Sequence, residues 1–69
     1  MDSWKLRLQV EYRQLKSRHS KIKQTIERYA AGSLSMDEDN MALIQEQEIY
    51  MNNYLEVLHK RCELNDIEI

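Results

Sequence analysis

The chain has 69 residues, a formal net charge of −2, one cysteine, one glycine and no proline. That length allows one domain at most, with a core that removes only about 60% of the unfolded surface, so stability is marginal. A lone Cys62 excludes an internal disulfide, and the slightly acidic balance argues against general binding of a nucleic acid polymer, which takes a basic domain.

Ser3 or Asp2 caps a first helix that Trp4 and Lys5 open. Leu8, Tyr12, Leu15, His19, Ile22, Ile26 and Tyr29 then alternate at spacings of four and three, one face of a helix over about residues 3–31. Gly32 supplies a left-handed C-terminal cap and begins a loop over 32–35. Ser35 and Glu38 form a capping-box pattern, and Asp37, Glu38 and Asp39 suit the positive end of a second helix over about 36–64. Its stripe reads Ile44, Gln47, Met51, Tyr54, Leu58 and Arg61, with Lys60 and Arg61 in the closing turns and a frayed tail over Asn65–Ile69.

Each helix is about 28 residues, or ~42 Å long, and the short loop makes them antiparallel. Residues 1–31 carry eight basic against three acidic side chains, +5; residues 32–69 carry two against nine, −7. Opposite charge favours a fold-back and leaves the first helix with cations to spare. Trp4, Leu6, Val10, Ile49, Tyr50, Leu55, Val57 and Cys62 widen the stripes beyond what one hairpin covers, and such surfaces mark a partner site. A small scaffold without disulfide or metal gains stability by association. The expected fold class is therefore all-α: an antiparallel two-helix hairpin assembling into a homo-oligomeric helical bundle. A zinc site would have to recruit His19, His59, Cys62 and a carboxylate, with no metal-ligand spacing to support it. No apolar run reaches the ~18 residues of a membrane span, and no signal-peptide pattern is present, so cytoplasm is the expected location.

Helix 1 carries Arg7-Leu8, Glu11-Tyr12, Leu15, Arg18, Lys21-Ile22 and Ile26. Helix 2 carries Leu43-Ile44, Gln47, Met51, Tyr54-Leu55, Leu58 and Arg61. This two-part pattern, over roughly residues 4–62, resembles the helical-hairpin domain shared by phage cyclic-nucleotide sponges, the anti-CBASS and anti-Thoeris proteins. The resemblance implies a compact homo-oligomer, often a hexamer, with no catalysis and no cofactor. It implies sequestration of cyclic di- or trinucleotides or cyclic ADP-ribose isomers, which blocks bacterial anti-phage signalling in the host cytoplasm.

A cyclic dinucleotide offers phosphates for cations and bases for flat rings. Arg binds phosphate as a planar fork and Lys as a compact charge. Stacking contributes about 1–3 kcal/mol per base, against the ~12 kcal/mol of nanomolar binding. The expected ligand residues are Trp4, Arg7, Arg18, Lys21 and Arg61, with no catalytic or metal-binding residue. Trp4 stacks on a base or anchors on Leu58 or Cys62. Lys21 matches the lysine of the family's first motif and reaches phosphate, or is an ordinary solvated lysine. Arg18 joins it or pairs with an acid on helix 2. Arg61, at a core-like position, takes Glu11 or a phosphate, and Arg7 is its neighbour at that end. Gln47, Tyr12, Tyr54, His19, His59 and Cys62 read as structural, and the ligand pockets are expected between protomers, with Lys21 or Arg18 and Trp4 from different chains.

Two other functions fit parts of the pattern. One is a helical protein–protein interaction module that needs no ligand. The other is a hairpin phosphatase of response regulators, for which Ser35 and Asp39 match an S-x-x-x-D spacing without its flanking residues.

Overall fold

The computed structural model describes residues 3–69. The first helix, α1, runs over Ser3–Ala30 and the second, α2, over Glu38–Leu64. They form an antiparallel hairpin 48 × 16 × 15 Å in extent. Ser3 is the first helical residue, and a cap from Asp2 lies outside the described residues.

Gly32 ends α1 as its spacing predicts. Its φ is +77°; its N–H donates to Tyr29 O at 3.0 Å, and the Ser33 N–H donates to Arg28 O at 3.0 Å. These two bonds are a Schellman closure, which satisfies carbonyls the helix leaves free. The start of α2 differs from expectation. Asp37 caps it, accepting from the Asn40 N–H at 3.3 Å. Ser35 therefore lies before the helix, and the connection covers residues 31–37 rather than 32–35. A carboxylate there meets both the free N–H groups and the positive end of the dipole, so it displaces a hydroxyl two residues upstream.

The C-terminal tail is docked where fraying was expected. The Asp66 N–H donates to Glu63 O at 3.2 Å and the Ile67 N–H to Cys62 O at 2.8 Å. This repeats the Schellman pattern with Asp66, at φ +54°, in place of glycine. Ile67 packs against the core, and Gln9 Nε2 donates to Glu68 O at 2.7 Å.

The core is Leu8, Tyr12 and Leu15 of α1 against Leu58 and Cys62 of α2, flanked by Met51, Leu55 and Ile67. Met41 is buried nearer the loop. The stripe that α2 turns inward is Met41, Ile44, Glu48, Met51, Leu55, Leu58 and Cys62, all buried or half-buried. This corrects the expected stripe at three places: Gln47, Tyr54 and Arg61 are exposed, and Glu48, Leu55 and Cys62 stand in their stead. Desolvating an unpartnered Arg61 is costly, whereas Cys62 buries completely, at 0% exposure, without penalty. The one inward acid, Glu48, is answered by His19 across the interface, Nε2 to Oε2 at 2.8 Å. A polar pair within an apolar seam penalises other registers, because sliding either helix leaves both groups unpaired.

Candidate functional site

Because Leu8, Tyr12, Leu15 and His19 turn α1 inward, Arg7, Arg18 and Lys21 are left on its exposed surface. Arg61 is exposed on α2. Among the described residues none of these four cations makes an ion pair, while His19 contacts Glu48 and His59 contacts Glu63. Glu11, the expected partner of Arg61, instead accepts from the Tyr54 hydroxyl. That bond holds the Tyr54 phenol above its ordinary pKa, while the nearby Arg61 charge pulls it down.

Arg18 and Lys21 come together. With Ile22, Thr25, Gln47 and Met51 they line a groove of about 350 Å³ along one side of the helix pair. Gln47 and Met51 also line a second groove of about 390 Å³, with Leu43, Glu46, Tyr50 and Tyr54. The two share a wall, so a cationic groove opens onto a tyrosine-lined one. Gln47 and Tyr54, expected on the inward stripe, line these grooves from the exposed face instead, whereas Tyr50 is exposed as its place outside that stripe predicts. The signal for Gln47 and Tyr54 is the heptad Leu43, Gln47, Tyr50, Tyr54 and Val57, which runs beside the inward one.

Trp4, Arg7 and Arg61 lie at the other end of the hairpin, away from the connection. Trp4 is 44% exposed and is not part of the buried core cluster. The Lys5 ammonium sits 5.6 Å from its ring centre. Along α1, Trp4 and Lys21 are separated by about 26 Å. A small ligand cannot reach both within one protomer.

On the opposite side of the hairpin, Lys16, His19, Ser20, Lys23, Gln24, Glu27 and Leu55 line a further groove of about 440 Å³. No group of three His, Cys, Asp or Glu side chains among the described residues is placed to hold a metal ion. No helix among the described residues is long and apolar enough to cross a membrane. Ser35 sits in the connection and Asp39 in the first turn of α2, so the S-x-x-x-D spacing does not lie on one helix face.

Fold and surface together define a small two-helix protein that presents cations along shallow, open grooves. A family model described as Sequestin matches residues 2–64, and the chain belongs to the Sequestin family. This is the family to which the paired helix patterns pointed, and its name describes sequestration, a binding role rather than a catalytic one. Among curated proteins and among solved structures, none matches the chain significantly.

Proposed function

We propose that this protein is a non-catalytic sponge. It holds cyclic nucleotide messengers of bacterial antiviral defence between copies of itself and so silences anti-phage signalling in the host cytoplasm. The observation that carries this reading is the pairing of Sequestin membership with a groove where Arg18 and Lys21 have no acidic partner among the described residues. Two adjacent cations without a carboxylate suit a phosphodiester. The groove lies at the small end of the range for ligand pockets and is open, so a second copy is needed to exclude water from the ligand. Trp4 of another protomer supplies the stacking ring, because Trp4 of the same protomer is too far away. Arg7 belongs to that second half of the pocket.

The test is calorimetric titration with cyclic di- and trinucleotides and cyclic ADP-ribose isomers. The expected result is sub-micromolar binding of at least one of them, with the intact compound released on denaturation. Lys21→Ala should weaken that binding about 10-fold or more, the loss of a hydrogen bond to a charged group. Absence of binding at micromolar concentration across the panel overturns the proposal. The uncovered apolar face of α2 favours a second reading, a protein–protein module without a small ligand, and that negative result would leave it standing.

A further inference from the structure

The tyrosine-lined groove and the cationic groove lie on one hairpin and have Gln47 and Met51 in common. Tyr50 is 63% exposed and Tyr54 48% exposed, so each keeps a large part of its ring open. Their hydroxyls are already engaged: Tyr50 donates to Glu46 at 3.1 Å, and Tyr54 donates to Glu11 across the hairpin. A phenol tethered at its polar end has less rotamer freedom to lose when a flat group settles on its ring. Gln47 lines both grooves, and among the described residues no hydrogen bond engages its amide.

We propose that Tyr50, Tyr54 and Gln47 of a single protomer form a seat for an adenine base, on a ligand whose phosphate lies against Arg18 and Lys21. Each group suits one part of a nucleotide. Aromatic rings stack on any base, so the tyrosines hold a base without choosing it. The choice falls to Gln47. A carboxamide offers an acceptor oxygen and two N–H donors, which match the amino group and N7 of adenine as one bidentate pair. Guanine presents two acceptors at the same edge, N7 and O6, and leaves the amide oxygen unmatched. The carboxylates beside the rings, Glu46 and Glu11, already accept from the tyrosine hydroxyls. Charge fixes the orientation. Arg18 and Lys21 line the first groove and Glu46 lines the second, so the phosphate belongs to one end and the neutral base to the other.

The opposite side of the hairpin offers no equivalent. Its groove has Lys16 and Lys23, but the ring among its lining residues is His19, and that imidazole is bonded to Glu48. Trp4 is about 26 Å from Lys21 along α1, too far for the base of a nucleotide whose phosphate Lys21 holds. The assignment deepens the sponge reading and rests on it only for the ligand being a cyclic messenger. The contacts to base and phosphate are the same for any adenine nucleotide.

NMR titration of the full chain with simple probes tests the seat. Inorganic phosphate probes the cations alone, and AMP, GMP and UMP add the bases. AMP should bind about 5-fold or more tighter than phosphate, the contribution of one stacked base, and should shift the Gln47 side-chain amide. It should also bind about 5-fold or more tighter than GMP, the discrimination of one bidentate pair. Gln47→Leu should abolish the preference for AMP over GMP. Tyr50→Leu should weaken AMP about 5-fold or more. Neither change should alter phosphate binding. Both residues are exposed, so circular dichroism should keep its helix signal; if a variant loses it, the comparison of AMP with GMP and phosphate on the unaltered protein decides. An AMP affinity no greater than that for phosphate or GMP, or a preference that survives Gln47→Leu, overturns the proposal. Selectivity for AMP without binding of any cyclic nucleotide sinks the sponge reading and leaves the base seat. Cyclic nucleotide binding indifferent to both variants does the reverse.

Discussion

Tyr54 shows how one side chain is held by groups from both helices. Its hydroxyl donates to Glu11 of α1, and that carboxylate raises the phenol's pKa above 10.0 by accepting the bond. Folding therefore strengthens the hold on this proton. The stabilisation is complete below the pKa of the unfolded phenol, about 10, and is lost as pH rises through the higher folded value, where phenolate and carboxylate repel. Tyr54→Phe should lower the urea midpoint at about pH 8, and the gap from the unaltered protein should be narrower at a pH above the unfolded value of about 10. Matched denaturation curves at the two pH values measure it; a gap that stays constant means the bond contributes nothing. Lys21 presents the opposite case: its ammonium has solvent on one side and an open groove on the other, so its removal should change binding far more than folding.

At the scale of the element, both helices close with the same two-bond pattern, but one uses glycine and the other aspartate. The left-handed conformation costs an ordinary residue about 1–2 kcal/mol, and glycine almost nothing. A Cβ on Gly32 would meet nothing within 4 Å, so Gly32→Ala carries the backbone cost alone. Gly32→Ala and Asp66→Gly should thus move stability in opposite directions, a loss of about 1 kcal/mol and a gain of about 0.5–1 kcal/mol. In a domain of this size about 1 kcal/mol shifts Tm by roughly 4–8 °C, which thermal melts read easily. A gain from Asp66→Gly also requires Ile67 to stay on the core, since the same turn aims it there.

For the whole molecule, the decisive quantity is how little apolar surface one hairpin covers. Among the described residues five form the main buried cluster, whereas ten large hydrophobic residues stay exposed. A 69-residue chain with that balance gains most from a second copy. If copies of the chain associate as the proposed function requires, folding and association are linked, and Tm should rise with protein concentration. Melts over about a hundredfold dilution test this, and a constant Tm would count against association-coupled stability. The charge asymmetry belongs to this scale too. Residues 1–31 carry +5 and residues 32–69 carry −7, so the fold-back opposes unlike charges.

The sequence by itself determined that there are two helices, that Gly32 ends the first, and that Leu8, Tyr12, Leu15 and His19 face inward. Each of those follows from local periodicity and from the left-handed backbone that glycine adopts at least cost. It did not determine which way α2 turns. Ile44, Met51 and Leu58 lie on the inward stripe, whereas Gln47, Tyr54 and Arg61 lie on the outer one, and taking them together as a single stripe mixes two faces. One residue along a helix is a rotation of about 100°, so that mixture hides Leu55, Cys62 and the tyrosine face at once. Only the packed hairpin separated them: His19 required an acid opposite, which Glu48 provides, and the core accepted the thiol of Cys62 in preference to the guanidinium of Arg61. Tertiary structure also decided that the candidate cations divide into two distant groups, because 17 residues of rigid helix between Trp4 and Lys21 span about 26 Å whatever the loop does.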